Sequence, residues 1–437
     1  MNILIVGSGA REHAIAITLH RSSPKPNIYC SGKTINPGIK QMAHDYFVGD
    51  NNDVKAIAKL AKDWAIDLAI IGPESPLERG LADALWHEGV PTIGPQKKLA
   101  QIETSKEFAR NLMLKYKIPG LPKFRAFHDL NGVDTFLKEL GEGNYVVKAN
   151  GLMGGKGVKV AGDHLHSFNE AIAFCQEILD AGQTIVIEQK LIGQEFSFMG
   201  FCDGKIMVPM PIVQDHKRAF VDDKGPNTGG MGSYSDANHS LPFLTAKDVE
   251  SAWYINEAVF KALMQETGEK YIGILYGSFI ATKDGVYVIE FNARFGDPES
   301  LNVLTILQSD LAGIFKAMVN GSLRDDMVRF APQATVCKYA VPEGYPDSPV
   351  KNVPIDIAAV KNKARLYFSS VDASDGKIYA RGARTAAYVG VADSIPAAEV
   401  ISEREVCGID GPLFHRKDIG TERLIQRRVD AMRKLRE

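Results

Sequence analysis

The sequence predicts a multidomain chain of mixed α/β and α+β class, with an N-terminal doubly wound parallel sheet, mixed central domains and a small β-rich C-terminal domain. Its 437 residues correspond to about three domains. Apolar strand-like runs alternate with helical segments over roughly the first hundred residues, as in parallel sheets covered by helices. Short strands separated by turns dominate the C-terminal part. We therefore expect domains at 1–104, 105–330 and 331–437.

Composition and charge exclude several kinds of protein. Hydrophobic residues make up 45% of the chain and charged residues 24%, as in ordinary globular proteins. The net charge of −2 predicts no nucleic-acid and no membrane partner, and no apolar run approaches the ~18 residues of a membrane span. The N-terminus enters a strand without a signal-like segment. Five scattered cysteines, without a C-x-x-C pair, predict buried reduced thiols and a cytoplasmic location.

In the first domain, strands and helices follow one another at the spacing of βαβ units. The predicted elements are strand 3–6, a helix near 10–20, strand 28–30, a loop over 31–40, a helix near 53–63, strand 68–74, a helix at about 77–88 and strand 90–95. Ligands of such sheets bind at the carboxyl ends of the strands. Gly7–His13, Asn36–Gly38 and Gly72–Glu74 fall there, so we expect these three loops to converge on one site.

The central region begins with a helix that is capped by Thr104 or Ser105 and ends before Pro119. It continues with strand 124–127, a helix at about 130–140, strands 145–149 and 158–162, helix 168–180 behind a Ser167–Glu170 capping box, and strand 184–189. Two hairpins follow, with turns at 203–204 and 284–285. The C-terminal domain has strands within 335–344, 364–372, 377–382 and 385–392, a helix at about 395–406 and a basic, solvated last helix.

The first loop, GSGAREH (7–13), joins a strand to a helix as nucleotide-binding turns do. The dinucleotide fingerprint G-x-G-x-x-G fails, because Glu12 occupies the third glycine position and no carboxylate follows strand 28–30. We therefore expect no NAD. The glycine turn and Arg11 instead favour a phosphate at the helix N-terminus, the alternative being a tight turn without a ligand.

A second glycine-rich stretch, KANGLMGGKGVKV (148–160), lies between two strand-like runs. Its backbone amides can contact phosphate oxygens, with Lys148 and Lys156 adding charge, although the order of residues is not that of a Walker A loop. The alternative is a surface hairpin. The segment EQKLIGQE (188–195) lies where a hinge is expected, and its backbone could recognise an adenine edge while Glu195 takes ribose hydroxyls; the alternative is an ordinary exposed acidic surface.

Two later stretches of the chain carry charged residues in patterns typical of metal and substrate binding. In VIEFNARFGDPES (288–300), Glu290 and Asn292 share one face of a strand and offer hard oxygen ligands for Mg²⁺, while Arg294 suits a carboxylate or phosphate. QDHKR (214–218) and GPNTGGMGSYS (225–235) can hold a small zwitterion, with Asp215 facing its ammonium group. The alternatives are a polar edge strand and an ordinary loop. His216 is no triad member, because no G-x-S-x-G elbow is present.

In this order the motifs GSGAREHA, GGKGVKV, QDHKR, GPNTGGMGSYS and EFNARFGDPE resemble the ATP-grasp superfamily and, within it, the glycinamide ribonucleotide synthetase family. The resemblance runs from residue 3 to about 420. It implies ATP-grasp central domains with a lid subdomain at about 118–190, and an ADP-forming ligase of purine biosynthesis. The implied substrates are ATP, glycine and 5-phosphoribosylamine, joined through glycyl phosphate with Mg²⁺ or Mn²⁺. A monomer or homodimer is expected.

The resemblance also implies roles for individual residues. ATP would contact Lys106, Lys148, Gly154, Gly155, Lys156, Gly157, Glu188, Gln189, Lys190, Leu191 and Glu195. The metal would bind Glu290 and Asn292, with water completing the shell because Ser278 replaces a carboxylate common in the superfamily. Glycine and phosphoribosylamine would contact Gly9, Arg11, Glu12, Asn36, Gly38, Pro73, Glu74, Asp215, Lys217, Asn227, Thr228, Gly229, Gly230, Met231, Arg294, Gly296 and Asp297. Asp215, Arg294 and Lys148 are the expected catalytic residues.

Two alternatives stay open at this point. The first is another ATP-grasp enzyme of purine metabolism, such as a carboxylase that phosphorylates bicarbonate, which would lack the 227–232 loop. The second is a non-catalytic nucleotide sensor, which would be expected to have lost Lys148, Glu290 or Asn292.

Overall fold

The computed structural model describes residues 1–153 and 157–437. Its first part contains β1 (Asn2–Val6), α1 (Ala10–His20), β2 (Asn27–Gly32), α2 (Pro37–Met42), β3 (Ala43–Val48), α3 (Val54–Asp63), β4 (Leu68–Ile71), α4 (Glu74–Glu78), α5 (Leu81–His87), β5 (Thr92–Ile93) and α6 (Lys97–Thr104). The strands form one parallel sheet in the order β3-β2-β1-β4-β5. The order reverses between β1 and β4, so their carboxyl ends flank the crevice where ligands of such sheets bind.

Several local predictions in this part were wrong. The loop expected over 31–40 contains the start of α2, because the Asn36 side chain accepts hydrogen bonds from the amides of Gly38 and Ile39. The single helix expected at about 77–88 is two helices, α4 and α5, which are separated by Gly80. Strand β3 was not predicted, since none of its side chains is buried and it lacks the apolar run of its neighbours.

The second part contains α7 (Lys106–Lys115), β6 (Phe124–Phe127), α8 (Val133–Leu140), β7 (Tyr145–Ala149), β8 (Val158–Val160), α9 (Phe168–Asp180) and β9 (Ile185–Gln189). The strands form an antiparallel sheet in the order β6-β9-β7-β8. Their apolar side chains and those of α8 and α9 form a hydrophobic core separate from the main one. A separate core is what a movable lid needs, and the lid boundaries stay a prediction.

The third part contains β10 (Gln194–Asp203), β11 (Met207–Pro209), β12 (Gln214–Asp215), β13 (Arg218–Phe220), β14 (Lys224–Asn227), β15 (Gly232–Ser235), α10 (Ala246–Thr267), β16 (Ile272–Thr282), β17 (Gly285–Asn292), α11 (Glu299–Thr305) and α12 (Leu311–Asn320). The antiparallel sheet β11-β10-β16-β17 includes both predicted hairpins. Its register places Ser278 directly opposite Glu290. Glu290 on β17 therefore lies next to the hydroxyl of Ser278, the residue that stands where many superfamily members have a metal-binding carboxylate.

The fourth part contains β18 (Ala334–Pro342), β19 (Val353–Ile355), β20 (Leu366–Phe368), β21 (Val371–Ser374), β22 (Lys377–Ala380), β23 (Ala386–Ala392), α13 (Ile395–Val406), β24 (Leu413–His415) and α14 (Glu422–Arg436). The largest sheet has the order β12-β15-β18-β23-β20, with β24 also paired to β18. Two strands from 214–235 are thus part of the C-terminal sheet. The loop GPNTGGMG rests on this sheet, and the boundary at 330/331 stays a prediction.

Two predictions about the C-terminal part were wrong. The last helix is not simply solvated, because Arg427 and Arg428 form ion pairs of 2.8 and 2.6 Å with Asp223, and Leu424 is buried. Cys407 is exposed, whereas the other four cysteines are buried as expected. Within the described ranges, no helix is long and apolar enough to cross a membrane.

Candidate functional site

The turn after β1 is closed by the buried carboxylate of Glu12. The Gly9 amide and the Arg11 Nε both donate to this carboxylate, over 2.6 Å each. Gly72, which follows β4, lies so close to the carboxylate that a Cβ there would collide with it. A carboxylate in this place excludes a dinucleotide pyrophosphate, which agrees with the failed fingerprint. The predicted contact of Gly9 with a substrate phosphate stays a prediction, and here the Gly9 amide already has a partner.

Asn36 and Gly38 connect the first sheet to the C-terminal part. The buried Asn36 Nδ2 donates to the carbonyls of Ser8 and Phe368, over 3.0 and 2.9 Å, while its Oδ1 caps α2. Gly38 packs against the ring of His13, whose Nδ1 accepts a 3.0 Å hydrogen bond from the Phe368 amide. These hydrogen bonds use both polar atoms of the Asn36 side chain within the protein. The predicted contact of Asn36 with a substrate would therefore have to come from the main chain.

Arg294 links the crevice of the first sheet to strand β17. Its Nη2 lies 3.0 Å from Glu103 Oε1 and donates to Asn292 Oδ1 over 3.2 Å. Its Nε lies 3.6 Å from Glu74 Oε2 and is buried without a hydrogen-bond partner among the described residues. Burial raises the pKa of Glu103 to about 7, although Arg294 opposes this rise. A buried donor without a partner is costly, so Arg294 is prepared to bind a carboxylate or phosphate oxygen.

A cleft of about 170 Å³ lies between the β6-β9-β7-β8 sheet and β17. Residues from four segments line it: Glu74; Ile102, Glu103, Lys106, Ala109 and Arg110; Gly151, Leu152, Met153, Gly157 and Val158; and Ile289, Glu290, Phe291, Asn292 and Arg294. Lys106, in the first turn of α7, donates to the carbonyl of Gly151 over 3.1 Å. The predicted nucleotide residues Lys106 and Gly157 and the predicted metal ligands therefore share one cleft.

The buried carboxylate of Glu188 holds two cations beside the cleft. It accepts two hydrogen bonds from Arg110, of 2.7 and 3.0 Å, and one of 2.7 Å from Lys148 Nζ. Although burial alone would raise the pKa of Glu188, Arg110 and then Lys148 lower it to about 2. Lys148 is thus held in place by Glu188. The Glu188 side chain is fully occupied, which leaves only its backbone for a nucleotide base.

The metal-ligand candidates lie in a positively charged part of the cleft. Burial would raise the pKa of Glu290, but the ammonium groups of Lys217, Lys106 and Lys148 lower it. The pKa of Lys106 is lowered by burial, with Glu290 opposing that shift. Glu290 is therefore ionised at neutral pH, and a cluster of cations around one carboxylate is an arrangement that attracts phosphate groups.

The GPNTGGMG loop closes over Asp215 at the end of β12. The amide and hydroxyl of Thr228 donate to the Lys217 carbonyl over 2.7 and 2.8 Å. Gly230 has a φ of +109°, and a Cβ there would lie 2.6 Å from Asp215 Oδ1, so only glycine fits. Burial and then the nearby Glu299 carboxylate raise the pKa of Asp215 well above its usual range. An ammonium group bound beside these carboxylates would stabilise their charged forms.

Arg384 and Tyr339 join this loop from the C-terminal part. Arg384 Nη1 donates to the carbonyls of Gly229 and Asp297, over 2.6 and 2.9 Å, and lies 3.2 Å from Asp297 Oδ1. The guanidinium stacks 4.6 Å from the Tyr339 ring centre, and the Tyr339 hydroxyl donates to Asp297 Oδ1 over 2.6 Å. Sequence reasoning missed both residues, because no local pattern marks them and their partners are distant in sequence.

The other predicted residues lie at the margins of the site. Lys190 Nζ donates to the Ala161 carbonyl over 2.6 Å, and Glu195 lies 3.7 Å from Lys217. Met231 is buried in the main core, so only its backbone can face a substrate. Gln189 and Asn227 are exposed, Pro73, Leu191 and Gly296 are partly or fully buried, and Gly154, Gly155 and Lys156 lie outside the described residues.

Family models match three consecutive stretches of the chain. The N domain, the ATP-grasp (A) domain and the C domain of phosphoribosylglycinamide synthetase match residues 1–103, 104–300 and 335–422. The chain belongs to this family. The resemblance inferred from the motifs is therefore confirmed, and so is the predicted fold class.

Relatives and solved structures agree with this family. The phosphoribosylamine–glycine ligases of Methanocella arvoryzae and Methanocaldococcus jannaschii are 47% and 45% identical to the chain, covering 100% of both partners in each case. The crystal structure of phosphoribosylamine–glycine ligase from Thermotoga maritima matches with a TM-score of 0.78 and 25% identity, over 96% of this chain and 100% of that one. The biotin carboxylase domain of Hydrogenobacter thermophilus 2-oxoglutarate carboxylase, solved with MgADP, shares the fold at 14% identity and a TM-score of 0.72, over 99% and 93%.

Proposed function

We propose that the chain is an ADP-forming ligase of de novo purine biosynthesis, which joins glycine to 5-phosphoribosylamine to give glycinamide ribonucleotide. The observation that carries this proposal is the position of Arg294. It contacts Glu74 at the crevice of the first sheet, Asn292 in the cleft and Glu103 between them. Arg294 thus contacts both the crevice expected to bind the sugar phosphate and the cleft expected to bind the nucleotide. A small carboxylic acid bound at Arg294 would lie between the two. Full-length identity to ligases of this name supports the choice of substrates.

ATP is assigned to the cleft between the lid and β17. Lys106 and Lys148 face its phosphates, the backbone of 188–191 faces adenine, and Glu195 takes the ribose hydroxyls. The two lysines lie in or beside the cleft, and Glu188 fixes Lys148. Cations that are already in place stabilise the negative charge that develops on the leaving ADP phosphates. They do so without any rearrangement of the protein during the reaction.

Glu290 and Asn292 fit a divalent cation such as Mg²⁺ or Mn²⁺. Glu290 is ionised among lysines, and Asn292 contributes an amide oxygen on the same strand face. One carboxylate and one amide are few ligands, so nucleotide phosphates and water must complete the shell, as is usual for Mg²⁺. When bound, the ion would neutralise phosphate charge. Ser278, directly opposite Glu290, adds at most a neutral oxygen.

Glycine is assigned to the region around Glu299, whose charge acts on both Asp215 and Arg294. The carboxylates of Asp215 and Glu299 face its ammonium group, and the Arg294 Nε without a partner faces its carboxylate. A glycine carboxylate oxygen attacks the γ-phosphorus of ATP, the bond to the bridging oxygen breaks, and ADP leaves. The amine of phosphoribosylamine then attacks the acyl carbon, phosphate leaves and the amine loses a proton. Closure of the lid excludes the water that would hydrolyse glycyl phosphate.

The N-terminal domain, 1–104, is assigned to 5-phosphoribosylamine. Arg11 and Glu74 lie at the carboxyl ends of β1 and β4, and Arg11 also donates to the Phe295 carbonyl over 3.2 Å. The sugar amine would therefore lie close to the segment that holds glycine. The C-terminal domain, 331–437, contributes Arg384, which contacts the GPNTGGMG loop. A cytoplasmic location and a monomeric or homodimeric state belong to the same proposal.

The experiment follows ADP and product formation with purified protein, ATP, Mg²⁺ and each combination of glycine and freshly made phosphoribosylamine. We expect ADP and glycinamide ribonucleotide only when both substrates are present. Bicarbonate replaces glycine in a parallel reaction, because it is the substrate of the rival carboxylase. ADP formation with bicarbonate alone, or release of AMP and pyrophosphate, would overturn the proposal.

A further inference from the structure

A cluster of three different metal-binding side chains lies in the C-terminal part, away from the cleft. Glu403 and Cys407 are four residues apart at the end of α13, so their side chains share one face of the helix. His415 ends the neighbouring strand β24. One ligand atom from each residue lies within 4.8 Å of the others.

The distances in this cluster are close to those of a metal site. His415 Nε2 lies 3.1 Å from Glu403 Oε1, and Cys407 Sγ lies 3.8 Å from the same oxygen. Zn²⁺ bonds of about 2.0–2.3 Å at tetrahedral angles would separate such ligand atoms by about 3.3–3.6 Å. The Cys407 and His415 ligand atoms lie within 4.8 Å of each other, and rotation of the exposed Cys407 side chain would bring all three atoms around one ion.

Lys338 holds Glu403 in the orientation that the site needs. The ammonium group is fully buried, at 2.6 Å from Glu403 Oε2 and 2.6 Å from Glu399 Oε1, and it also donates to the Lys417 carbonyl over 2.7 Å. It bonds Glu403 Oε2, which also lies 3.1 Å from His415 Nε2, and leaves Oε1 free to face both Cys407 and His415. A nearby lysine repels cations, but Glu399 balances its charge. A fixed outer partner of this kind orients a metal-binding carboxylate.

The cluster is accessible and chemically selective. Cys407 is exposed, whereas the side chains of Glu403 and His415 are 29% and 12% exposed, so an ion can enter from the thiol side. A sulfur, a nitrogen and an oxygen donor favour zinc-class ions over Mg²⁺ or Ca²⁺, which prefer oxygen alone. Binding would release the thiol proton to solvent.

We propose that Glu403, Cys407 and His415 form a binding site for a divalent transition-metal ion of the zinc class, with a fourth position open to water. The ion links the end of α13 to β24. The site is independent of the proposed ligase function. Lys338 and Tyr339 are neighbours on β18 and face opposite sides of its sheet, with Tyr339 directed at Asp297 and Lys338 at this cluster.

The test is a Co²⁺ titration of the full-length protein after removal of metals with a chelator. We expect about one equivalent of Co²⁺ to produce a thiolate-to-cobalt charge-transfer band, which Zn²⁺ then abolishes. Cys407→Ser should lose the band. His415→Ala should weaken binding by at least about tenfold, the lower end of the loss reported even for outer partners. His128→Ala, which removes an exposed histidine elsewhere, is the matched control and should behave as wild type.

The band is specific, because the other four cysteines are buried and a cation on Glu290 and Asn292 would have oxygen ligands alone. Cys407 is exposed, so its substitution is not expected to impair folding. No band with the wild-type protein at several equivalents of Co²⁺, or a band that persists in Cys407→Ser, would overturn the proposal. Neither result would bear on ADP formation.

Discussion

Replacing Glu188 by glutamine tests how the buried Lys148 and Arg110 are held beside the cleft. The change keeps the shape of the side chain and removes only its charge. Arg110 and Lys148 would then be buried beside a neutral amide, having lost three charge-assisted hydrogen bonds of 2.7–3.0 Å. Removing one partner of a buried ion pair is far more costly than the pair itself is stabilising, because it leaves uncompensated charge.

The size of the effect follows from two independent arguments. A Glu188 pKa lowered from 4.5 to about 2 corresponds to about 3 kcal/mol of unfolding free energy at neutral pH. Breaking a buried pair costs about 3–5 kcal/mol in other proteins. Because folding lowers this pKa, the contribution is complete above pH 4.5 and is lost as the pH falls towards about 2. Wild type and variant should therefore converge in acid.

The assay is hydrogen exchange at β7 and β9, since these strands belong to a hydrophobic core separate from the main one and such units are expected to open independently. We expect Glu188→Gln to lower the free energy of opening of these strands by about 3 kcal/mol. Glu177→Gln is the matched control in the same subdomain, because its 3.7 Å pair with Lys159 is largely exposed; its effect should stay below about 1 kcal/mol. Equal effects of the two substitutions at neutral pH would refute the reasoning.

Three further predictions concern other parts of the molecule. Glu290→Gln should lower kcat by about 100-fold or more in steady-state assays and Asn292→Ala by less, since water can replace a neutral oxygen; near-normal turnover of Glu290→Gln would remove it from the metal site. Arg384→Lys should lower kcat/KM for glycine by about tenfold or more, because it loses hydrogen bonds to the carbonyls of the GPNTGGMG loop; an unchanged glycine KM and kcat would contradict that role. Asp223→Asn should lower the unfolding free energy of the protein in urea by about 1 kcal/mol at pH 7, because Arg428 and Arg416 outweigh burial and lower the Asp223 pKa from 3.8 to about 2, and partial exposure screens these ion pairs. This difference should fade below pH 3.8, and its absence at pH 7 would show that Asp223 is not a structural ion-pair partner.

Most of the fold follows from short-range patterns. Asp203–Gly204 and Asp284–Gly285 mark hairpin turns between apolar runs, and both hairpins form where expected. Ser167 caps α9 by accepting a hydrogen bond from the Glu170 amide. The alternation of strand side chains also placed Glu290 and Asn292 on one face of β17. Each of these inferences needs only residues that are close in sequence.

The features of the fold and the site that the sequence did not predict depend on pairing between distant segments. The joining of β15 to β18 brings residues 232–235 beside 335–338, and nothing local predicts it. Arg384 reaches the GPNTGGMG loop through this shared sheet. The last helix looked solvated because its arginines are numerous, whereas the acids that pair with them lie near residue 223. Glu188 was assigned to nucleotide binding, and only the structure shows that Arg110 and Lys148 occupy its carboxylate.

The most direct test of the central claim is the fate of isotope from glycine labelled with ¹⁸O in both carboxylate oxygens. If the carboxylate attacks ATP and the amine of phosphoribosylamine then displaces phosphate, one labelled oxygen must leave with the phosphate and the other must remain in the amide of the product. We predict one ¹⁸O in each molecule of inorganic phosphate, formed together with ADP. Unlabelled phosphate, or label in AMP, would contradict the acyl-phosphate mechanism and with it the proposed function of this site.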